Sequence, residues 1–205
     1  MNKTLEQLAA ARAIRIHEPF SAFLNGGAEI CDFDISLVDC YRMAGHACHA
    51  ITGAFLTTEA AVEALYPDTH VCERGDLFVE FGTDAEEGAT GPRSNVVSFI
   101  TGAWSGSGFP GLQGKFKRKN LMSYGHANLS KNAVRFKKIS SGESVVVTYD
   151  SKLVTARIAP KSGFPESWRE EICAVLMNSK VAIQILREIP EQNGCNNSSN
   201  QNGCC

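Results

Sequence analysis

The sequence predicts an α+β fold, with helices packed on a mainly antiparallel sheet and a disordered tail at the C-terminus. Three observations predict it. Apolar residues recur at helical spacing over residues 5–16, 46–66 and 166–189. Three short β-rich runs, 133–136, 144–149 and 153–158, lie close together with hairpin-like turns between them. The elements do not alternate strictly as strand, helix, strand, so a doubly wound parallel sheet is not expected.

Each element has its own signal. Over residues 5–16, Leu5, Leu8, Ala9, Ala13 and Ile16 keep helical spacing, and His17-Glu18-Pro19 stops the run, because the residue before proline leaves the α region. Asn25-Gly26-Gly27 reads as a turn. Asp34 or Ser36 can cap a short helix that turns Leu37, Val38 and Met43 inward and is interrupted at Gly45. The helix over 46–66 buries Ile51, Phe55, Ala61, Val62 and Leu65, and Pro67 follows it. A turn at Arg74-Gly75-Asp76 leads into a strand over 77–81. Residues 84–91 form an acidic loop. Residues 95–100 read as a helix, since Val96, Val97 and Ile100 share a face. Four glycines and a proline between Gly102 and Gly111 make a loop, without the strand-loop-helix order of a phosphate cradle. The last helix enters through Pro165 and ends before Pro190. Residues 191–205 hold almost nothing apolar and cannot offset their own ordering entropy. The expected organisation is one domain over 1–190 and a Cys/Asn-rich tail over 191–205.

Composition narrows the function. The chain has 205 residues, 43% of them hydrophobic, which suffices for one substantial core. Its 20 basic and 22 acidic residues give a net charge of −2, so no nucleic-acid partner is expected. No apolar run reaches the roughly 20 residues needed to cross a bilayer, and the first residues lack a signal-peptide core. A cytoplasmic protein with no membrane partner is therefore expected. Eight cysteines include no CxxC pair, which argues against a zinc ribbon and a thioredoxin-type site.

The chemistry concentrates in Gly45-His46-Ala47-Cys48-His49. A cysteine at a helix start meets unpaired N–H groups and a partly positive helix end, which favour thiolate. Thiolate is both a nucleophile and a soft metal ligand. His46 lies two residues away and can share a metal, while His49 faces His46 once the helix forms. The bland alternative makes Cys48 a core residue and His46 a loop cap. Other histidines are weaker candidates. His17 reads first as a C-terminal helix cap, His126 lies in a loop and can supply a distant ligand, and His70 reads as solvated. The basic run Lys115, Lys117, Arg118 and Lys119 reads as a solvated face that can meet an anion, and Trp104 as a core anchor.

The order of two motifs resembles the formylmethanofuran dehydrogenase E-like (FmdE) family. Ile35-Ser36-Leu37-Val38-Asp39 followed by Gly45, His46, Cys48 and Gly53 resembles that family's opening H-G-H-x-C-P-G segment. Asn95 to Gly102 resembles its second helix with T-G, and Lys119-Asn120-Leu121 its following G-N-L. Ala44 stands in place of the first histidine, His49 and Ala50 in place of Pro-Gly, and Ala103 in place of the cysteine after T-G. The resemblance covers about residues 33–136. It implies an α+β core, a homodimer, and a His-x-Cys pair in a pocket that binds a metal. The expectation is thus a transition-metal-binding accessory or redox-linked protein. His46 and Cys48 are its ligands, and His17, His126 or His49 completes the set. Zinc suits mixed nitrogen and sulfur ligation best, with iron or haem iron as alternatives. The rival expectation is an enzyme acting on a small molecule, with Cys48 as nucleophile and His46 or His49 as base.

Overall fold

The computed structural model describes residues 4–25, 31–159 and 162–188. Thr4 caps the first helix, α1 (Leu5–Ala10), through a reciprocal capping box with Gln7. The chain then becomes a strand, β1 (Ala13–His17), where a continued helix was expected. The reason is a change of period: Ile14 and Ile16 are buried and alternate with the exposed Ala13 and Arg15. A short helix, α2 (Pro19–Asn25), follows. Gly26 and Gly27 of the expected turn lie outside the described residues.

Next come β2 (Asp32–Ser36) and α3 (Leu37–Ala44). Ser36 is the N-cap of α3, and its hydroxyl and amide exchange hydrogen bonds with Asp39. Asp34 belongs to the strand instead. Leu37 and Cys40 face inward, whereas Met43 is exposed, against expectation. Gly45 ends the helix in a left-handed conformation.

The central element is α4 (His49–Leu65), which starts three residues later than expected. Thirteen of its 17 residues are buried, so it is a core helix covered on nearly every side. Ile51, Phe55, Ala61, Val62 and Leu65 are all buried as expected. Beyond it lie β3 (Val71–Glu73), β4 (Leu77–Phe81) and α5 (Thr90–Thr101), in which Val96, Val97 and Ile100 are buried. After the glycine-rich loop come β5 (Met122–Ser123), β6 (Ala133–Lys138) and β7 (Ser144–Tyr149).

The C-terminal part corrects two expectations. Residues 153–158 are not a strand: α6 (Lys152–Thr155) forms there, with the Lys152 amide bonded to Asp150 and Val154 alone of its four residues buried. The expected long last helix divides into α7 (Glu166–Met177), α8 (Ser179–Ala182) and a strand, β8 (Ile183–Glu188). Asn178 ends α7, bonding its side-chain amide to the Ala174 carbonyl. Pairing with β7 then takes the place that 153–158 was expected to fill. Pro190 and residues 191–205 lie outside the described residues.

The strands make a mixed three-stranded sheet, β2-β1-β3, and a largely antiparallel five-stranded sheet, β5-β4-β6-β7-β8. In the larger sheet, Val79, Phe136 and Val145 pair across three strands, as do Phe81, Val134 and Val147. These rows are buried and join the residues of α4, α5, β1 and α7 in one continuous hydrophobic core. Arg135 ties strands together on the larger sheet, holding Glu80 at 3.0 Å and Glu188 at 2.8 Å. No described helix is long and apolar enough to cross a membrane.

Candidate functional site

The turn from α3 into α4 spreads His46, Cys48 and His49 in three directions. His46 is exposed, and its Nδ1 lies 3.1 Å from the Ala44 carbonyl oxygen. Cys48 is the extended N-cap of α4, and its thiol makes no capping bond. The Cys48 side chain belongs to the hydrophobic core. Its carbonyl accepts the Thr52 hydroxyl at 2.8 Å, and Thr52 in turn lies 2.7 Å from the Tyr41 hydroxyl. His49 faces α7 and β7. Its Nε2 lies 3.1 Å from Glu171 Oε2, its Nδ1 lies 3.4 Å from the Tyr149 hydroxyl, and its ring stands edge-on to Trp168.

Gly53 makes this contact geometrically feasible. It lies one turn beyond His49, and a Cβ at that position would run into the ring of Tyr149. The absence of a side chain lets the aromatic ring rest on the helix and carry its hydroxyl to the imidazole. Burial, as the leading cause, pushes the Tyr149 phenol above its ordinary range, against the pull of a Ser151 hydrogen bond. The phenol is therefore a hydrogen-bond donor at neutral pH.

The other expected ligands sit elsewhere. His17 does not cap a helix: it ends β1 and pairs across the strand with Asp32 at 2.8 Å. His126 lies after β5, 2.8 Å from Ser123 Oγ and 3.4 Å from Glu80. Each of His17, His49 and His126 is thus bound to a different carboxylate on a different element. Among the described residues, no three His, Cys, Asp or Glu side chains gather where they could hold a metal ion. The donor set therefore does not fit a metal held by one copy of the described chain. Both ring nitrogens of His49 also meet groups other than Cys48.

What His49 and Tyr149 do share is a cavity of about 310 Å³, lined also by Thr83, Thr90, Arg93 and Lys131. Thr83 and Thr90 hydroxyls lie 2.6 Å apart. Lys131 is paired with Glu87 at 2.7 Å. Arg93 is different. It is half-buried, its guanidinium lies 5.8 Å from the centre of the Phe81 ring, and it reaches the Asn132 carbonyl only at 3.5 Å. Among the described residues no carboxylate pairs with it. Burial lowers its pKa, but guanidinium is so basic that it stays charged. A half-buried cation without a counter-ion beside a cavity is an acceptor for an anion.

No family model, curated protein or solved structure matches the chain. Reasoning from sequence singles out His49 but misses Tyr149, Glu171 and Arg93. Tyr149 and Glu171 lie 100 and 122 residues away from it in the chain, so no local spacing links them. The one available signal is Gly53, a glycine in the middle of an otherwise strong helix pattern.

Proposed function

We propose that the chain binds a small organic anion in the cavity between α4, α5 and β7. The observation that carries this reading is Arg93, charged, half-buried and unpaired among the described residues, facing a space it shares with His49 and Tyr149. Arg93 holds the negative charge of the ligand, the Tyr149 hydroxyl donates to it, and Glu171 fixes the His49 ring behind the phenol. Tyr149, His49 and Glu171 form a chain along which a proton can move, so the site is suited to acid–base work on the bound molecule. The test is calorimetric titration with a panel of small carboxylates and phosphate esters. At least one should bind, and Arg93→Met should weaken it roughly tenfold to a hundredfold, the worth of one charge-assisted hydrogen bond. Equal affinity in wild type and Arg93→Met, or no binding at all, refutes the reading.

One observation favours a second reading, in which His46 and Cys48 hold a transition metal as the FmdE-like resemblance implies. His46 is exposed and its Nε2 has no partner among the described residues, while the Cys48 thiol makes no capping bond. Two ligands bind weakly, so this reading requires a further donor from a bound ligand or from a second copy in a homodimer. Zinc, iron or haem iron fits the donor types. Elemental analysis and an optical spectrum of the untagged protein decide it. Metal near one equivalent per chain, lost in both His46→Ala and Cys48→Ser, supports it. Unchanged metal content in both variants removes it.

A further inference from the structure

The charge balance of the whole chain hides a strong local bias. From Gly88 to Gly142 there are nine Lys and Arg residues and no Asp or Glu. Four of the basic residues fall at 115, 117, 118 and 119, and the fold brings three of them to a second cavity. This cavity has a volume of about 470 Å³ and is lined by Arg74, Lys115, Phe116, Lys117 and Arg118 among others.

Its inner wall holds two guanidinium groups on one carboxylate. Arg118 donates to Glu18 at 2.5 Å and Arg74 lies 3.5 Å from the other oxygen of Glu18. All three side chains are largely buried, at 10%, 22% and 16% exposure, so solvent screens the surplus positive charge poorly. Arg118 also donates to the Arg74 carbonyl, and Arg74 Nε is buried without a partner. Burial first, and the neighbouring Arg118 as well, lower the Arg74 pKa against the pull of Glu18. At the rim, Lys115 and Lys117 are exposed and make no ion pair with any described residue. Two further carboxylates, Glu73 and Asp76, line the cavity. Asp76 already accepts from Ser140 and Tyr66. Four cations thus meet three carboxylates, and the excess lies on the side of the lysines.

The wall between those lysines is aromatic and held in place. Phe116 adopts a left-handed backbone at φ 60°, a costly conformation for a bulky residue that must be imposed by its surroundings. A tight turn, in which Leu112 and Lys115 exchange backbone hydrogen bonds, imposes it from one side. The ring of Phe116 packs on Phe20 and Phe23 of α2, at 5.1 and 5.2 Å, from the other. Lys115 and Lys117 are therefore presented from a clamped loop. Fixed geometry of this kind lowers the ordering cost of binding.

We propose that this second cavity binds the phosphoryl group of an organic phosphate. The phosphate meets the Lys115 and Lys117 ammonium groups and the Arg118 guanidinium, and the apolar body of the ligand lies on the Phe116 ring. The same chemistry is offered by a soluble aromatic phosphate and by the headgroup of a phosphate-monoester lipid. The test uses Arg93→Met protein, so that the cavity at His49 contributes nothing. Phenyl phosphate is titrated and followed by phosphorus NMR, and vesicles of phosphatidylcholine with and without phosphatidic acid are followed by flotation. Binding of either probe, weakened about tenfold or more for each charge in Lys115→Glu and Lys117→Glu, is the expected result. Phenyl phosphate alone points to a soluble ligand, and phosphatidic acid vesicles alone to a lipid. Both lysines are on the surface, so their variants fold. Absence of binding to both probes, or binding that the lysine reversals leave unchanged, overturns the proposal.

Discussion

Glu59 should make the stability of the protein fall as the pH rises through neutrality. It lies on α4 with 20% of its side chain exposed, and Arg12 Nη1 is 3.0 Å from its Oε2. Burial pushes its carboxyl from the ordinary 4.5 up to about 7; Arg12 pulls it back only in part, and Glu63, one turn further along, adds to the rise. The sign follows from linkage. Below about pH 4.5 the carboxyl is protonated in both the folded and the unfolded chain, and its contribution to stability is complete. As the pH climbs, the unfolded chain releases this proton first, and the contribution is lost until the folded carboxyl ionises near 7. The rise of about 2.5 pH units corresponds to about 3 kcal/mol. Most of that, about 2 to 3 kcal/mol, falls between about pH 5 and about pH 8. Glu59→Gln removes the titration while keeping the shape. Urea unfolding of both proteins at the two pH values should show wild type losing about 2 to 3 kcal/mol more than the variant, or roughly 5 to 10 °C in Tm for a chain of this size. Groups that titrate in both proteins cancel in this comparison. Parallel pH profiles would refute the argument that burial outweighs the Arg12 ion pair.

Three further outcomes follow from local geometry. Ser36→Ala should cost about 1 kcal/mol by removing the α3 cap. Because Ser36 bonds hold the Asp39 carboxyl below its ordinary 3.8, the stability that this carboxyl contributes above that value and loses as the pH falls should shrink in the variant, as acid unfolding curves would reveal. Gly53→Ala should destabilise by up to about 2 kcal/mol, since overpacking against the Tyr149 ring costs about 1 to 3 kcal/mol and helix propensity returns about 1; adding Tyr149→Ala should abolish the overpacking part in a double-mutant cycle. Of the five described cysteines only Cys173 escapes full burial, so limiting alkylation of chelator-treated protein should modify it before Cys48, Cys31, Cys40 or Cys72. First modification at Cys48, read by peptide mass, would restore the nucleophile reading.

The parts of the fold that are legible in the sequence are those decided locally. α4 has enough length for its period to be read, and a proline follows it. The β6 and β7 runs are β-branched and separated by a turn, and Ser36 announces a helix three residues before Asp39 closes the cap. The misread parts are those decided by a distant partner. Residues 13–17 and 183–188 carry apolar residues that fit either period, and each becomes a strand because another strand offers it a ladder: β2 for the first, β7 for the second. Once β8 occupies the edge of β7, residues 152–155 have no sheet to join and coil into a short helix instead.

The same division governs the site. The motif around Cys48 promises chemistry because soft and borderline ligands stand within four residues, yet neighbours at a helix entrance diverge. His46 is left in solvent, Cys48 in the core, and only His49 opens onto a cavity. Gly53, which the motif marks only as a position, supplies the link between sequence and site. A helix interior loses stability with glycine, so its presence there implies that something must approach closely. What approaches is Tyr149, and through it His49 is joined to Glu171 behind and to Arg93 across the cavity. If the site serves a bound anion, then the residue to protect in any variant is this glycine, because a side chain there displaces the phenol without touching any charged group. Gly53→Ala should therefore weaken anion binding although Arg93 is intact, and binding that survives the substitution unchanged would separate Tyr149 from the ligand.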